Sequence, residues 1–151
     1  MNMKSKAGFL MALLALLGLS ACSGPKAEPI DYGGDMCDFC QMTIMDRQHA
    51  AEAVTEKGRV YKFDAIECMV DYVLEHENDT PFGILLVADY ARPGEMIDAQ
   101  TATYLISPNL PSPMGAFLSG FGSRAEAEKV QAEKGGELLD WKALKVKRSK
   151  H

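Results

Sequence analysis

Two cysteines and a methionine lie close together in a Cys-x-x-Cys-x-Met pattern formed by Cys37, Cys40 and Met42. Their thiolate and thioether sulfurs are soft, polarisable donors, which select Cu(I), Zn(II) or iron–sulfur clusters over hard cations. Asp35 and Asp38 flank the cysteines. Neighbouring carboxylates are expected to raise the pKa of a thiol, whereas a redox-active cysteine pair needs a lowered pKa. The stretch therefore favours a metal site.

Two other interpretations of the cysteine pair remain open. Cys37 and Cys40 could form a structural or redox-active disulfide, with Met42 as a core residue that fills an irregular gap. Alternatively, a structural zinc module could take its nitrogen and sulfur ligands from Cys37, Cys40, Cys68 and His49. Neither of these two interpretations uses the methionine sulfur as a ligand. Methionine ligation would therefore distinguish the soft-metal site from the disulfide and from the zinc module.

Further candidate donors are scattered along the chain. Met114 lies in a loop that is stiffened by three prolines and continues into Gly115. A methionine in such a rigid loop is a candidate ligand, although it could equally anchor the loop. Cys68 is either a third thiolate or an inert buried cysteine. Met45 and His49 follow the cysteine pair closely enough to be outer ligands, although a lone histidine is more often a surface or hydrogen-bonded residue.

The N-terminal stretch has the layout of a bacterial lipoprotein signal. Two lysines precede an apolar run over residues 7–19, which is too short to span a membrane and is typical of a secretory signal. The run ends in Leu-Ser-Ala-Cys, which resembles a lipobox and predicts that residues 1–21 are removed and that Cys22 carries the lipid. Ser23 resembles the sorting pattern of outer-membrane lipoproteins. We expect a lipid-anchored protein on the periplasmic face of a bacterial membrane, namely the outer membrane.

Charge and cysteine number narrow the function further. The formal net charge is −5, and it becomes −7 without the two lysines of the predicted signal. An acidic chain without a basic stripe is a poor nucleic-acid binder, and a cationic cargo suits it better. Three cysteines remain beside the one assigned to the lipid. Because the periplasm is oxidising, at least one thiol of this odd set must stay free or be held by a metal.

The sequence contains no familiar catalytic motif. It has no nucleophile elbow, no pair of histidines at the helical spacing that holds zinc, and no phosphate-binding glycine loop. Blue copper would need two histidines with a cysteine at suitable spacing, and the chain lacks this arrangement. We therefore expect a binding protein rather than an enzyme.

The pattern of strands and helices in residues 36–90 predicts one small module. Residues 50–56 and 59–63 form two strands around a Lys-Gly turn. Asp64 is then predicted to cap a helix, with a glutamate three residues further on completing a capping box. A continuous apolar run at residues 84–88 predicts a strand at the centre of a sheet.

The same order returns in residues 96–144. Residues 101–107 and 115–121 are predicted strands, and Ser123 is predicted to cap a helix that ends at a pair of glycines. Residues 137–141 form the last strand. Each half has roughly fifty residues, too few for a comfortable core of its own. The predicted fold class is therefore α+β, with two tandem strand-strand-helix-strand modules packed as one globule.

Three segments lie outside these elements. Residues 22–35 are rich in proline, glycine and charge, and they predict a tether between the lipid and the folded part. Residues 89–100 contain Arg-Pro-Gly and are expected to cross from the first module to the second. Residues 145–151 form a basic tail that we expect to be disordered. The metal-binding domain is thus predicted to span residues 36–144.

Several of these features occur together in one family of proteins. Besides the lipobox, they are the cysteine motif, the methionine loop and the start of the last strand, namely Cys37-x-x-Cys40-x-Met42, Pro113-Met114-Gly115 and Gly135-Gly136-Glu137. In this combination the chain resembles the NosL family, lipoprotein copper chaperones that serve the maturation of nitrous oxide reductase. The resemblance runs from Met36 to about Trp141.

The resemblance implies a fold, a cargo and partners. The fold is two strand-strand-helix-strand modules, in agreement with the repeat. The cargo is one Cu(I) held by Cys37, Cys40, Met42 and Met114. This ion is passed in the periplasm to the nitrous oxide reductase apoenzyme, with an ABC-type assembly complex as docking partner. The family usually has glycine before the motif methionine, where this chain has Gln41.

Overall fold

The computed structural model describes residues 24–150, so the predicted signal peptide and Cys22 lie outside the described part of the chain. That part contains seven strands and three helices. In chain order these are β1 (Ala51–Thr55), β2 (Val60–Phe63), α1 (Ile66–His76), β3 (Phe82–Asp89), β4 (Arg92–Asp98), β5 (Thr103–Ile106), β6 (Leu118–Phe121), α2 (Arg124–Lys134), β7 (Glu137–Leu139) and α3 (Trp141–Arg148). No helix among these residues is both long and apolar enough to cross a membrane.

The strands form two antiparallel sheets with the same arrangement. The strand order is β2-β1-β3-β4 in the first sheet and β6-β5-β7 in the second. In each sheet the strand that comes first in the chain lies between the next two. A helix connects the two strands that flank this first strand, α1 between β2 and β3 and α2 between β6 and β7. The predicted α+β class with two strand-strand-helix-strand modules is confirmed.

A single cluster of buried side chains joins the two sheets. It includes Phe63 from the first module and Tyr104 from the second, both fully buried. The sheets meet where β3 approaches β6, and there the Tyr90 amide donates to the Gly120 carbonyl at 2.8 Å. A Cβ atom at position 120 would lie 3.2 Å from Ile66 Cδ1, so a glycine permits this close approach. The modules pack as one globule, as predicted.

Neither predicted capping box forms. Helix α1 begins at Ile66 after Ala65, and no side chain caps it. Asp64 is instead buried, and its Oδ1 accepts a hydrogen bond from the Met45 amide at 3.4 Å. Ser123 does occupy the position before α2 but makes no capping hydrogen bond. The prediction that Asp64 caps α1 is therefore wrong, because its carboxylate faces the segment that follows the cysteines.

The glutamates of the two predicted boxes make contacts between the modules. Glu67 of α1 accepts a hydrogen bond from Ser112 Oγ at 2.5 Å. Glu126 of α2 pairs with Arg92 of β4, with 2.9 Å between Arg92 Nη1 and Glu126 Oε1. A glutamate that turned back to cap its own helix could not reach these partners. Contacts between modules thus override the local capping pattern.

Residues 92–98, predicted as part of a connection, form the edge strand β4. This strand pairs with β3 in antiparallel fashion, with Ala88 opposite Met96. The Arg-Pro-Gly sequence argued against a strand, but an edge strand tolerates Pro93 because its outer side needs no amide donor. The Gly94 amide donates to the Arg47 carbonyl at 2.8 Å instead of to a strand.

The C-terminal segment is helical through residue 148 rather than a disordered basic tail. Asp140 caps α3 by accepting a hydrogen bond from the Ala143 amide at 2.7 Å, so β7 also ends earlier than predicted. Leu144 is fully buried in the core. Arg148 Nε donates to Asp71 Oδ1 of α1 at 2.9 Å. An acidic partner and a buried leucine thus hold the segment whose charge indicated disorder.

The segment before the cysteines is attached to the domain in part. The Glu28 amide donates to Oε1 of the buried Glu52 at 2.7 Å. Ile30 and Tyr32 pack against the core cluster. The chain that was expected to act as a tether therefore contacts β1 and the core before residue 36.

Candidate metal centre

Three thiols meet at one place in the molecule. The sulfur atoms of Cys37, Cys40 and Cys68 lie within 4.8 Å of one another, and all three cysteines are free. Cys37 and Cys40 lie in the loop before β1, whereas Cys68 lies in the first turn of α1. Cys37 and Cys68 are buried and Cys40 is half-buried. The structure thus places Cys68 beside the predicted pair, and three soft donors can reach one small cation.

The loop that carries Cys37 and Cys40 is closed by its own backbone. The Cys37 amide donates to the Met42 carbonyl at 2.8 Å, and the Gln41 amide donates to the Cys37 carbonyl at 3.0 Å. Gln41 has a φ of 63°, in the left-handed region that costs an ordinary residue roughly 1–2 kcal/mol. Its side-chain Nε2 also donates to the Cys37 carbonyl at 3.3 Å. This tight turn returns Cys40 to the neighbourhood of Cys37.

The two aspartates beside the cysteines anchor the loop to β2. The Asp38 amide donates to the Lys62 carbonyl at 2.8 Å, and the Lys62 amide donates to Asp38 Oδ2 at 2.7 Å. Lys62 Nζ pairs with Asp35 Oδ2 at 2.7 Å. The hydrogen bond from Lys62 lowers the pKa of the Asp35 carboxyl. Both carboxylates thus serve to fix the cysteine loop on the sheet.

Hydrogen bonding lowers the pKa of Cys37 to about 5. The main cause is the Cys68 thiol, which donates to the Cys37 sulfur; burial opposes this effect, and backbone amides such as that of Cys40, 3.4 Å from Cys37 Sγ, assist it. The same hydrogen bond raises the pKa of Cys68, and burial raises the pKa of Cys40. The expectation that flanking carboxylates keep the Cys37 pKa high is therefore wrong. Within the metal-free cluster, the hydrogen bonds thus favour negative charge on Cys37 over the other two thiols.

The methionines predicted as ligands have exposed side chains. Two of them, Met42 and Met45, follow the cysteine pair in the chain, and the third, Met114, lies across a cavity. Met114 lines a surface cavity together with Cys68, and 44% of the residue is exposed. Met42 ends the cysteine loop and is 49% exposed. Met45 is 66% exposed, and its sulfur lies beside Gly33. Met114 and Cys68 thus line one cavity at the boundary between the modules.

A turn at the end of the proline-rich loop presents Met114. The Gly115 amide donates to the Ser112 carbonyl at 3.0 Å, and Gly115 has a φ of 77°, which glycine adopts without strain. Phe117 also lies in the left-handed region, with a φ of 56°. Strand β6 consequently begins at Leu118 rather than at Gly115, where the sequence predicted it.

His49 lies outside the thiol cluster. It is buried, and both ring nitrogens have partners: Nδ1 lies 2.9 Å from Asp46 Oδ2, and Nε2 lies 3.2 Å from Ser119 Oγ. Ser119 belongs to β6, so the imidazole joins the two modules. The structure does not bring this candidate ligand to the thiols.

A buried carboxylate beside the site was missed in the sequence. Glu67 directly precedes Cys68 and is only 2% exposed. Its Oε1 accepts hydrogen bonds from Ser112 Oγ at 2.5 Å and from the Ala116 amide at 3.4 Å. In the sequence, a glutamate in the first turn of a helix indicates helix capping. Nothing local therefore pointed to its contact with the methionine loop.

Comparisons with known proteins decide the family. A family model described as NosL matches residues 31–148. The chain belongs to the NosL family. A relative from Stutzerimonas stutzeri, described as copper-binding lipoprotein NosL, is 30% identical over an alignment that covers 91% of this chain and 80% of the relative. The resemblance drawn from the sequence motifs is thus confirmed.

A crystal structure from the NosL family has the same fold. It is that of the copper chaperone NosL from Shewanella denitrificans, with 21% sequence identity and a TM-score of 0.68, covering 78% of this chain and 93% of the other. Gln41 holds a φ of 63° in this chain, at the position where the family resemblance led us to expect glycine. The left-handed backbone gives a physical reason for that expectation, because glycine adopts it at no steric cost.

Proposed function

We propose that this protein is a Cu(I) chaperone, which binds one Cu(I) at the thiol cluster and passes it to an enzyme under assembly. The observation that carries the proposal is the meeting of three free thiols, those of Cys37, Cys40 and Cys68, within 4.8 Å at a site beside the exposed Met114. Such soft donors favour Cu(I). One relative is described as copper-binding and another as a copper chaperone, which supports the same cargo.

The sulfur donors have different tasks in this proposal. Cys37, already a thiolate near neutral pH because its pKa is about 5, captures the ion first. Cys40 and Cys68 then lose their protons as the metal binds. Met42 and Met114 supply thioether sulfurs, which hold Cu(I) without adding charge and suit Zn(II) poorly. The thiolates thus determine affinity, and the thioethers determine which metal is kept.

Transfer to a partner requires an accessible edge. Closed tetrahedral cages are typical of structural metal sites, whereas sites that exchange a ligand keep an open position. Here Cys40 is half-buried, and Met42, Met45 and Met114 are exposed. An acceptor can therefore approach the ion from this side while Cys37 and Cys68 still hold it. Binding and transfer need no catalytic group, so we propose no enzymatic activity.

The proposed location and partners rest on the sequence and the family. Cys22 ends a lipobox-like sequence, and the Stutzerimonas relative is described as a lipoprotein. We therefore propose that a lipid on Cys22 holds the protein at the periplasmic face of the outer membrane. The family resemblance supports the nitrous oxide reductase apoenzyme as the recipient and an ABC-type assembly complex as the docking partner. The acidic chain is not proposed to bind nucleic acid.

Thiol–disulfide exchange is the competing function, and one observation favours it. The pKa of Cys37 is lowered to about 5, and a lowered pKa is typical of reactive cysteines. An exchange protein would use Cys37 and Cys40 and would have no use for Met42 or Met114. A zinc module is less well supported, because His49 is already bound to Asp46 and Ser119.

Metal binding by the mature, reduced protein tests the proposal. We expect one Cu(I) per monomer and no binding in the Cys37→Ser, Cys40→Ser double variant. Met42→Ala and Met114→Ala should each weaken Cu(I) binding about tenfold, or about 1.4 kcal/mol, in competition with a Cu(I) chelator. Met36→Ala is the matched control, because Met36 is 55% exposed but is not a candidate ligand.

Two results would contradict the chaperone function. One is displacement of Cu(I) by zinc from the wild-type protein. The other is parental copper binding in both methionine variants together with disulfide turnover by Cys37 and Cys40. The recipient is tested separately, by mixing the copper-loaded protein with nitrous oxide reductase apoenzyme and measuring the copper bound to each after separation.

A further inference from the structure

Cys68 and Met114 belong to different modules, so the geometry between their sulfurs depends on how the modules are joined. Cys68 lies on α1, and Met114 lies in the loop before β6. Both residues line one surface cavity, and Glu67 lies in its wall. Within residues 24–150, the side-chain hydrogen bonds that join α1 to the loop of residues 107–117 are all made by Glu67.

Glu67 holds the loop on both sides of Met114. Its Oε1 accepts from Ser112 Oγ at 2.5 Å, two residues before the methionine, and from the Ala116 amide at 3.4 Å, two residues after it. The Ser112 hydroxyl oxygen in turn accepts from the Leu118 amide at 3.4 Å. One carboxylate oxygen therefore fastens the base of the turn whose exposed tip is Met114.

Stability alone does not explain a glutamate at this place. Glu67 is 2% exposed, and its Oε2 makes no hydrogen bond to any residue in the described part of the chain. Burial of an incompletely paired carboxylate is unfavourable, and an apolar side chain of similar volume is often more stabilising. The amino end of α1 offsets part of this cost, because it favours negative charge.

We propose that Glu67 is a positioning residue for copper binding. Through Ser112 and Ala116 it holds the Met114 turn against Cys68, so that the thioether joins the thiolates around one Cu(I). Glu67 does not itself bind the ion, because a carboxylate is a hard donor. This inference rests on the proposed Cu(I) function and extends it to the residue that assembles the site across the two modules.

A double-mutant cycle on Cu(I) affinity tests the inference with the mature, reduced protein. Glu67→Leu should weaken Cu(I) binding about tenfold, the scale on which residues that orient metal ligands act. The Glu67→Leu, Met114→Ala double variant should bind no more weakly than Met114→Ala alone, because a missing ligand cannot be positioned. Glu67→Gln should bind nearly as well as the parent, since its amide oxygen still accepts from Ser112 and Ala116.

The methyl resonance of Met114 provides a readout that reduced stability would not change. In protein with isotope-labelled methionine methyl groups, this resonance should shift on addition of Cu(I) in the parent and not in Glu67→Leu. Glu52→Leu is the matched control, because Glu52 is 1% exposed and its carboxylate accepts a hydrogen bond from the Glu28 amide, away from the methionine loop. It should leave both the affinity and the Met114 shift unchanged.

Each other outcome is informative. If Glu67→Leu does not fold, Ser112→Ala replaces it in the cycle, since it removes one of the two donors to Oε1 and leaves every sulfur in place. If the losses of Cu(I) affinity in Glu67→Leu and Met114→Ala add up in the double variant, the positioning role is overturned and the copper function is left intact. The same holds if the Met114 resonance still responds to Cu(I) in Glu67→Leu, or if Met114→Ala binds Cu(I) as tightly as the parent. A parent protein that binds no Cu(I) would overturn the proposed function together with this inference.

Discussion

The two helices that connect the second and third strands of each module occupy equivalent places in the chain but have very different surroundings. Helix α1 contacts β1 and β2 of its own module and also β6 and α3. Helix α2 packs mainly on β5, β6 and β7 of its own module. The buried residues of α2 are limited to Ala127. Those of α1 are Ile66, Glu67, Cys68, Met69, Val70 and Val73.

The difference shows how a repeated topology produces a single site. The central helix α1 presents Cys68 to the thiol loop of its own module and Glu67 to the methionine loop of the other. The outer helix α2 has Glu126 in its first turn, and there it pairs with Arg92, which is itself half-exposed. Exposed pairs of this kind contribute little to stability. The three thiols of the candidate metal centre belong to the first module, and the packing of the modules places Met114 in the same cavity as Cys68.

The largest change that we predict in this comparison concerns the charge of the thiol cluster. Cys68→Ala removes the main hydrogen bond to the Cys37 sulfur, so the pKa of Cys37 should rise from about 5 toward its ordinary value of 9.0. The parent should keep its thiolate as the pH falls to about 5, whereas the variant should lose it at a clearly higher pH. Ultraviolet thiolate absorbance of the reduced, metal-free protein measures both titrations.

The control for this titration is Cys40→Ala, which also removes one sulfur but keeps the thiol of Cys68. The pKa of Cys37 should stay low in this variant, because the backbone amide of residue 40 remains as a donor as well. Equal titration curves for the two variants would mean that α1 does not determine the charge state of the cysteine loop.

The next prediction compares the cores beneath the two helices. Met69 of α1 is fully buried, and Met69→Ala should lower the free energy of unfolding by about 2–5 kcal/mol. Val130 of α2 is half-buried, and Val130→Ala should cost about 1 kcal/mol. Denaturant unfolding of the reduced, metal-free protein measures both values. Equal losses would show that the central and outer helices contribute alike to the core.

Local patterns in the sequence predicted the repeated module because its main signals are local. The turn at Gly58 and the alternation in β2 define a hairpin over a few residues. Helix α2 ends at Lys134, and Gly135 directly after it has a φ of 70°, in agreement with the glycine pair that predicted the end. The apolar run at residues 84–88 lies within β3 (Phe82–Asp89). These features need no knowledge of distant residues.

The features that the sequence did not predict depend on partners far along the chain. Glu67 and Glu126 matched a local capping pattern, but their partners are Ser112 and Arg92 in the other module. Strand β4 (Arg92–Asp98) forms because β3 offers it an edge. Cys68 remained ambiguous between ligand and inert thiol until α1 was placed against the cysteine loop.

The smallest effect that we predict concerns backbone strain in the two loops that carry the candidate ligands. Each loop contains one non-glycine residue in the left-handed region, Gln41 with a φ of 63° and Phe117 with a φ of 56°. Gln41→Ala keeps the strained backbone and loses the hydrogen bond from Nε2 to the Cys37 carbonyl. Gln41→Gly loses the same bond but relieves the strain, and this relief is partly offset by the greater freedom of glycine in the unfolded chain. The glycine variant should therefore be more stable than the alanine variant by about 1 kcal/mol.

Denaturant unfolding of the reduced, metal-free protein measures this difference, with glycine and alanine variants of Lys129 as the matched control. Lys129 is exposed in the middle of α2. There the alanine variant should be the more stable of the two, because alanine stabilises a helix relative to glycine by about 1 kcal/mol. Gln41→Gly should also bind Cu(I) like the parent, since the amide of residue 41 still donates to the Cys37 carbonyl. If Gln41→Ala is as stable as Gln41→Gly, the loop leaves the left-handed conformation at no cost. The cysteine loop would then be shaped by its anchors to Lys62 and by the hydrogen bond between Cys37 and Met42, and not by the residue before the methionine.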